Sequence, residues 1–81
     1  MYYVYIIESL KNGRYYVGTT GDLKDRIKRH NAGEMKSTQP YIPYKIIHSE
    51  SFPTLSEARK RESFIKSKKS RKFIEKLRRV G

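Results

Sequence analysis

The sequence has no cysteine and no tryptophan, and it contains only three prolines and five glycines in 81 residues. The absence of cysteine excludes disulfides and thiolate metal sites, and it favours a reducing, cytoplasmic setting. No apolar run approaches the ~20 residues that span a bilayer, and the first residues lack the positive start and apolar stretch of a signal peptide. We therefore expect a cytoplasmic protein with no membrane partner.

The chain also lacks the length that two hydrophobic cores require. A chain of this size buries only about 60% of the surface that its unfolded form exposes. Residues 1–81 are therefore expected to form a single domain.

Acidic residues are scarce, because eight Asp and Glu stand against nineteen Lys and Arg and the net charge is +11. So large a positive field predicts a polyanionic partner. Eleven of the basic residues lie between Arg59 and Arg79, interleaved with apolar residues, so this region is expected to be folded helix. It has no Trp and no continuous apolar face, which favours nucleic acid over a membrane surface.

Three segments rich in aromatic and β-branched residues predict strands. The first, "YYVYIIES" at residues 2–9, is expected to be buried on both faces. The pair Asn12-Gly13 is a hairpin signal, so residues 14–20 should return antiparallel to it. Residues 44–52, "YKIIHSESF", form the third strand.

Three helices are predicted from their end signals. Thr20 or Asp22 can cap a helix that ends at Asn31. A T-x-x-E capping box at residue 54 opens a second helix to about residue 68, and Ser70 can cap a third. The order β-β-α-β-α-α predicts an α+β fold in which helices flank a three-stranded antiparallel sheet.

Polar residues fall on helix faces that should point toward the core. At about 100° per residue, His30 lies between Leu23 and Ile27, and Arg26 lies one turn before it. Glu62 is in the middle of the inner arc of the second helix. A carboxylate there must be paired, hydrogen-bonded or bound to a metal. One interpretation is a salt bridge between Glu62 and Arg26 that only ties the helices together; the other is an active site.

Two tyrosines are expected on one face of the first hairpin. If the Asn12-Gly13 turn has an even number of loop residues, cross-strand partners sum to 25, so Ser9 lies opposite Tyr16, and Tyr5 and Tyr16 share a face. Taken singly, each tyrosine is more often a core residue. Two phenols that converge with Arg, His and Glu are harder to explain by packing alone.

Such a set fits the cleavage of a phosphodiester. That reaction requires a base for the attacking water, a cation for the developing charge, and a divalent metal held by a carboxylate. The cationic surroundings are expected to lower the pKa of a tyrosine phenol from about 10 and so favour the phenolate. No organic cofactor is expected.

The order and spacing of these residues resemble the GIY-YIG endonuclease superfamily, in particular its small stand-alone members related to the nuclease module of the excision-repair enzyme. The first motif corresponds to "YVY" at residues 3–5 and the second to "YVG" at residues 16–18. The helix "TGDLKDRIKRH" carries the arginine and the histidine, and "SEARKRESFIK" carries the glutamate.

The resemblance implies a metal-dependent DNA endonuclease with a role in DNA repair. It implies Tyr5 as general base, supported by Tyr16 and His30, with Arg26 stabilising the phosphorane. Glu62 would bind one divalent cation, Mg²⁺ or Mn²⁺. DNA is the implied partner, with RNA also possible, and the basic residues expected to contact it are Lys24, Arg29, Lys66 and Lys69.

The sequence departs from the family pattern at three points. Tyr3 stands at the first glycine, and valine replaces isoleucine in both motifs. Many family nucleases have an asparagine after the metal glutamate, whereas none occurs here beyond Asn31 and Ser70 is the nearest small polar residue. This last departure predicts weak activity. With no attached module visible, selection of DNA by structure is expected over selection by sequence.

Two other functions fit the composition. One is a nucleic-acid-binding protein that retains the nuclease fold without cleaving. The other is an adaptor for acidic proteins, for which nucleic acid would compete only weakly. A nuclease is distinguished by loss of cleavage, with binding retained, when Glu62 or Tyr5 is replaced.

Overall fold

The computed structural model of the protein describes residues 1–68 and 70–80. The strands are β1 (Tyr2–Ser9), β2 (Tyr15–Thr20) and β3 (Tyr44–Phe52), and the helices are α1 (Leu23–Asn31), α2 (Leu55–Lys68) and α3 (Arg71–Val80). A short 3₁₀ turn, Gln39–Tyr41, lies in the loop between α1 and β3. The predicted order β-β-α-β-α-α and the α+β class are confirmed.

The three strands form one antiparallel sheet in the order β2-β1-β3, so β1 is the central strand. Four consecutive residues of β1, from Val4 to Ile7, are at most 1% exposed. A strand with neighbours on both edges and helices on both faces has no solvent side, which accounts for its unbroken apolar run. The predicted burial of this strand on both faces is confirmed.

The predicted register of the first hairpin is wrong, since Ile7 and not Ser9 lies opposite Tyr16. The Arg14 carbonyl, just before β2, accepts the Ser9 N–H at 2.8 Å, so the turn that closes the hairpin consists of residues 10–13. Within it, the Ser9 hydroxyl accepts the N–H groups of Lys11 and Asn12, and the Ser9 carbonyl accepts the N–H of Gly13. Gly13 has a φ of +76°, which a glycine adopts without strain. The shift is two residues, so the faces of both strands are unchanged.

Helices cover the two faces of the sheet separately. On one face, Val4, Ile6 and Val17 pack against Ala58 and Ile65 of α2, and apolar residues of α3 complete this cluster. The opposite face carries the second cluster, which consists of buried Tyr5, Ile7 and Tyr44 with the partly buried Tyr16, Leu23, Ile27, Tyr41 and Ile42. Helix α1 therefore lies on the face that carries Tyr5.

Side-chain hydrogen bonds fix both ends of α1, and the cap of its first turn is one of the two predicted residues. Asp22 caps its first turn by accepting the Asp25 N–H at 3.0 Å. At its other end, the Asn31 amide donates to the Tyr44 carbonyl and accepts the Tyr44 N–H. Gly33, at φ +78°, then turns the chain. The last turn of α1, which carries His30, is thereby joined to the start of β3.

The second and third helices contain the basic region. The Thr54 hydroxyl accepts the Glu57 N–H, and the Ser70 hydroxyl accepts the Phe73 N–H, as the predicted caps require. The rings of Phe64 and Phe73 meet edge to face at 5.9 Å. Within the part of the chain that the structure describes, no helix is long and apolar enough to cross a membrane.

Candidate active site

Tyr5 lies at the centre of the site, in the middle of β1 and directly opposite Gly18 of β2. Its side chain is almost fully buried. A Cβ added to Gly18 would lie 2.5 Å from the Tyr5 hydroxyl oxygen and 2.6 Å from the adjacent ring carbon. The missing side chain of Gly18 therefore provides the space in which the phenol lies across the neighbouring strand.

The Tyr5 hydroxyl is hydrogen-bonded to His30 of α1, with 2.9 Å between the oxygen and Nε2. The other imidazole nitrogen, Nδ1, lies 2.9 Å from the Thr38 hydroxyl. His30 and Thr38 are both buried, at 0% and 1% exposure. A continuous polar chain thus runs from the central strand through α1 to the following loop.

Tyr16 completes a cluster of three rings on this face. Its ring centroid lies 5.1 Å from that of His30 and 6.4 Å from that of Tyr5. Tyr16 is only half-buried, so it is the more accessible of the two phenols. The two tyrosines share a face, as the hairpin pattern predicts.

Arg26, also half-buried, acts electrostatically on both members of the Tyr5–His30 pair. Burial raises the pKa of Tyr5 above its ordinary value, Tyr16 and Glu62 raise it further, and the Arg26 cation opposes them. The expectation that this site lowers the phenol pKa is therefore wrong for the protein alone, because burial outweighs the cation. Burial, together with Arg26, lowers the pKa of His30, so the imidazole is neutral at pH 7.

Glu62 lies on α2, which covers the other face of the sheet, and its charge still acts on Tyr5. The Thr19 hydroxyl of β2 donates a hydrogen bond to its carboxylate, and Lys66 Nζ lies 2.6 Å from its second oxygen. Burial by itself raises the pKa of Glu62, but the hydrogen bonds from Lys66 and Thr19 outweigh it and lower the pKa. The carboxylate is thus ionised and lies beside the edge strand that carries Gly18.

The interpretation in which Glu62 forms only a salt bridge with Arg26 is wrong. The cationic partner of Glu62 is Lys66, four residues later on the same helix. Arg26 contributes its positive charge to Tyr5 and His30 instead. The two helices therefore present an arginine and a carboxylate that are not paired with each other.

The residues described here supply a single carboxylate as the candidate metal ligand. Residues 1–68 and 70–80 contain no group of three or more His, Cys, Asp or Glu side chains that could hold a metal. Mg²⁺ is commonly held by one or two carboxylates, with waters and substrate phosphates as the other ligands. The Glu62 carboxylate, 20% exposed and ionised, fits that mode.

The predicted DNA contacts lie in different surroundings. Lys24 is exposed on α1, beside a shallow cleft lined by Tyr3 and Asp22. Arg29 pairs with Asp25 at 2.9 Å, and Lys66 pairs with Glu62. Lys69 lies outside the described residues. Ser70, the nearest substitute for the family asparagine, serves as the cap of α3.

Sequence reasoning did not predict the contacts that three residues make in the site. The polar loop that contains Thr38 has no periodicity, and nothing there indicates that this hydroxyl would be buried against His30. From the sequence, Gly18 is interpreted as a bend or a point of close substrate approach, and Thr19 as a strand end whose hydroxyl could touch a phosphate; neither interpretation predicts the contacts with Tyr5 and Glu62. The spacing of Tyr5 and Gly18 across a hairpin contains the signal, but only once the register is known.

Comparison with known proteins agrees with the fold. Residues 1–77 match the family model described as the GIY-YIG catalytic domain. A UPF0213 protein of Halobacterium salinarum is 45% identical over 67 residues, which are 82% of this chain and 86% of the relative. A UPF0213 protein of Streptococcus pneumoniae is 37% identical over 68 residues, 83% of this chain and 68% of the relative.

A solved structure is also similar. The solution NMR structure of a UPF0213 protein from Bacillus halodurans is 36% identical and has a TM-score of 0.61, and the match covers 99% of this chain and 85% of that chain. The chain belongs to the GIY-YIG family of nuclease domains.

Proposed function

We propose that the protein is a divalent-metal-dependent endonuclease that hydrolyses DNA phosphodiester bonds and selects its substrate by structure. The observation that carries this proposal is the buried Tyr5–His30 hydrogen bond with the Arg26 cation beside it. A fully buried imidazole hydrogen-bonded to a buried phenol, with a half-buried guanidinium acting on both, is a costly arrangement for packing alone. Together they provide a route for a proton and a counter-charge for a phosphate.

In this proposal Tyr5 transfers the proton of the attacking water to His30. As the water oxygen bonds to phosphorus, its proton passes to the Tyr5 oxygen and the phenol proton passes to Nε2 of His30. A concerted transfer suits a phenol with a raised pKa, because no free phenolate has to form first. The neutral imidazole, whose pKa is lowered, is in the correct state to accept the proton.

Arg26 has two roles in this scheme. Its guanidinium can donate to the phosphate oxygens, where negative charge grows as the new bond forms and the bond to the leaving oxygen breaks. It also lies beside the nearly inaccessible Tyr5. We expect an incoming phosphate to draw the half-buried Arg26 side chain outward, which would uncover the Tyr5 hydroxyl for the attacking water.

Glu62 is the proposed ligand of one Mg²⁺ or Mn²⁺, which would supply positive charge at the phosphate. In the protein without metal, Lys66 forms an ion pair with the Glu62 carboxylate. This ion pair would have to break for a metal to bind there. Thr19 holds the other oxygen and so keeps the carboxylate at the edge of β2. The rest of the coordination would come from water and the phosphate itself.

DNA is the proposed substrate because the charge of +11 favours a polyanion. Lys24, Arg29, Lys66 and Lys69 are the proposed backbone contacts. Lysine contacts to phosphates position a duplex without reading its bases, which supports selection by shape. Action on cellular DNA in the cytoplasm, in a repair role, belongs to the same proposal.

A non-catalytic nucleic-acid-binding protein is the second candidate. The ion pair of Lys66 with Glu62 favours it, because the proposed metal ligand already has a cation. The use of Ser70 as a helix cap also favours it, since the nearest small polar substitute for the family asparagine is then engaged by the backbone of α3.

A cleavage assay separates the two candidates. Labelled single-stranded, duplex, flap and branched DNA, and a single-stranded RNA, are incubated with the protein in Mg²⁺, Mn²⁺ or EDTA, alongside Glu62→Gln. Glu75→Gln, on the exposed side of α3, is the matched control for loss of one carboxylate. If the protein is a nuclease, it cuts at least one of the DNA substrates in Mg²⁺ or Mn²⁺ but not in EDTA. Glu62→Gln then abolishes cutting, whereas Glu75→Gln does not. Binding to the DNA panel without cutting in any metal would favour the second candidate.

A further inference from the structure

The Thr38 hydroxyl belongs to the polar chain but touches neither the proposed metal ligand nor Tyr5. It lies in the loop after α1, buried against the imidazole of His30. An imidazole has two nitrogens, and the hydrogen bond made by one decides which of them carries the proton. The partner of Nδ1 therefore determines what Nε2 offers to Tyr5.

We infer that Thr38 is a positioning residue that keeps the proton of His30 on Nδ1, so that Nε2 is free to accept the proton of Tyr5. The inference rests on the proposed nuclease function for its catalytic meaning, but its geometry is independent of it.

The first argument is the single proton of the Thr38 hydroxyl. Its oxygen lies 3.3 Å from the Met35 carbonyl, a group that can only accept. A threonine hydroxyl donates once, so a proton given to Met35 leaves only the lone pairs for His30. This contact favours Nδ1 as the donor and Nε2 as the acceptor, although the Met35 carbonyl also accepts two backbone N–H groups, so the choice of tautomer rests equally on Tyr5.

The second argument is the proton of Tyr5. If Nε2 carried the hydrogen, the buried phenol would accept it and would need another acceptor for its own proton. Among the residues that the structure describes, His30 is the one acceptor within hydrogen-bond distance of the Tyr5 hydroxyl, and the Arg26 guanidinium that acts on it has only donors. An unsatisfied buried hydroxyl is costly, whereas the arrangement with Nδ1–H gives every proton in the chain an acceptor.

The loop backbone holds Thr38 in this place. The Met35 carbonyl also accepts the N–H groups of Thr38 and Gln39, at 3.1 and 2.9 Å. This turn follows the Gly33 bend that ends α1. The hydroxyl is thus aimed at the imidazole by local structure.

The test is the His30 tautomer, read from the ¹⁵N shifts and long-range ¹H–¹⁵N couplings of its ring in the full chain at neutral pH. The chain has two histidines, so His48→Gln assigns the signals. We expect Nδ1–H in the wild type and in Thr38→Ser, which keeps the hydroxyl. Thr38→Val, similar in shape but without the hydroxyl, should shift the ring toward Nε2–H.

If the His30 ring of the wild type carries its hydrogen on Nε2, the inference is overturned. This result needs no variant, so the test holds even if Thr38→Val does not fold. An unchanged tautomer in folded Thr38→Val also overturns it.

Single-turnover cleavage links the tautomer to function. We expect Thr38→Val to lower the rate about 10- to 100-fold, the range known for the hydrogen-bond partners that orient metal-bound histidines, and Thr38→Ser to retain the wild-type rate. Loss of the tautomer with no loss of cleavage overturns the positioning role. If the wild type cleaves no substrate, the nuclease proposal fails, while the tautomer result still stands or falls by itself.

Discussion

Gly18 and Tyr5 face each other across β2 and β1, and the phenol of Tyr5 lies where a side chain of residue 18 would be. The position of the proposed proton-transfer group is therefore set by an absent methyl group on the neighbouring strand. This relationship gives the glycine of the second motif a physical reason in this chain.

We predict that Gly18→Ala displaces Tyr5. A Cβ 2.5 Å from the hydroxyl oxygen forces the ring or the strands to move. Overpacking of this kind costs about 1 to 3 kcal/mol of unfolding free energy, and a misplacement near 1 Å can lower a rate about 100-fold. Urea unfolding and single-turnover cleavage measure the two effects. Gly21→Ala is the control, because its Cβ would meet nothing closer than 3.8 Å; equal losses in both variants would contradict the explanation.

Glu50 should stabilise the fold in a pH-dependent manner. Burial raises its pKa, but hydrogen bonds from Arg61 and His48 outweigh burial and hold the pKa below its ordinary 4.5. A depressed folded pKa contributes stability above the unfolded pKa, and this is lost as the pH falls through the folded pKa. Glu50→Gln should therefore cost about 1 to 2 kcal/mol at pH 7 and progressively less below pH ~4.5.

Urea unfolding of wild type and Glu50→Gln between pH 7 and 3 measures this difference. Glu75→Gln, on an exposed position of α3, controls for the loss of one charge. A Glu50→Gln cost that stays constant down to pH 3 would show that the ionised carboxylate is not what stabilises the fold.

Lys66→Gln should strengthen metal binding at Glu62. The ammonium lies 2.6 Å from the carboxylate and competes with a cation for it. The pair is exposed on its lysine side and contributes only about 0.3 to 0.5 kcal/mol to the helix, so the fold should be little changed. Broadening of amide signals near residue 62 by Mn²⁺, without DNA, measures the affinity. Lys60→Gln removes an equal charge from α2; if it has the same effect, general charge and not competition is responsible.

DNA binding should weaken with salt, and Lys24 should account for part of that dependence. Each phosphate contact that is lost lowers the slope of log K against log salt by about 1. We expect this for Lys24→Gln and a smaller change for Arg29→Gln, because Arg29 already pairs with Asp25 at 2.9 Å. Arg78→Gln, a residue that contacts Glu8, is the control and should leave the slope nearly unchanged. If Arg78→Gln changes the slope more than Lys24→Gln does, DNA binds to a face of the protein other than the one that carries Lys24.

The element order could be predicted because local signals agree with the fold. The apolar run of β1 follows from its central place in the sheet, and the caps at Asp22, Thr54 and Ser70 act within three residues of sequence. The hairpin register could not, because Ser9 accepts the N–H groups of Lys11 and Asn12 and so places the turn at residues 10–13, which is not centred on Asn12-Gly13. An Asn-Gly pair alone does not distinguish the two loops.

The site could be predicted only in part, for a similar reason. Periodicity places His30 on the inner face of α1, but its link to Thr38 depends on the path of an irregular loop. The predicted lowering of the Tyr5 pKa is wrong because the sequence shows nearby charges and not the depth of burial. The depth of burial decides whether desolvation raises the phenol pKa by more than the Arg26 cation lowers it.

The central claim is that Tyr5 takes part in cutting DNA, and Tyr5→Phe tests it most directly. The variant removes one oxygen and leaves the ring over Gly18. Single-turnover cleavage of the preferred DNA with Mg²⁺ or Mn²⁺ should be slower by about 100- to 10,000-fold, the range for loss of a general acid–base group, with DNA affinity unchanged. Cleavage by Tyr5→Phe at the wild-type rate would contradict the account.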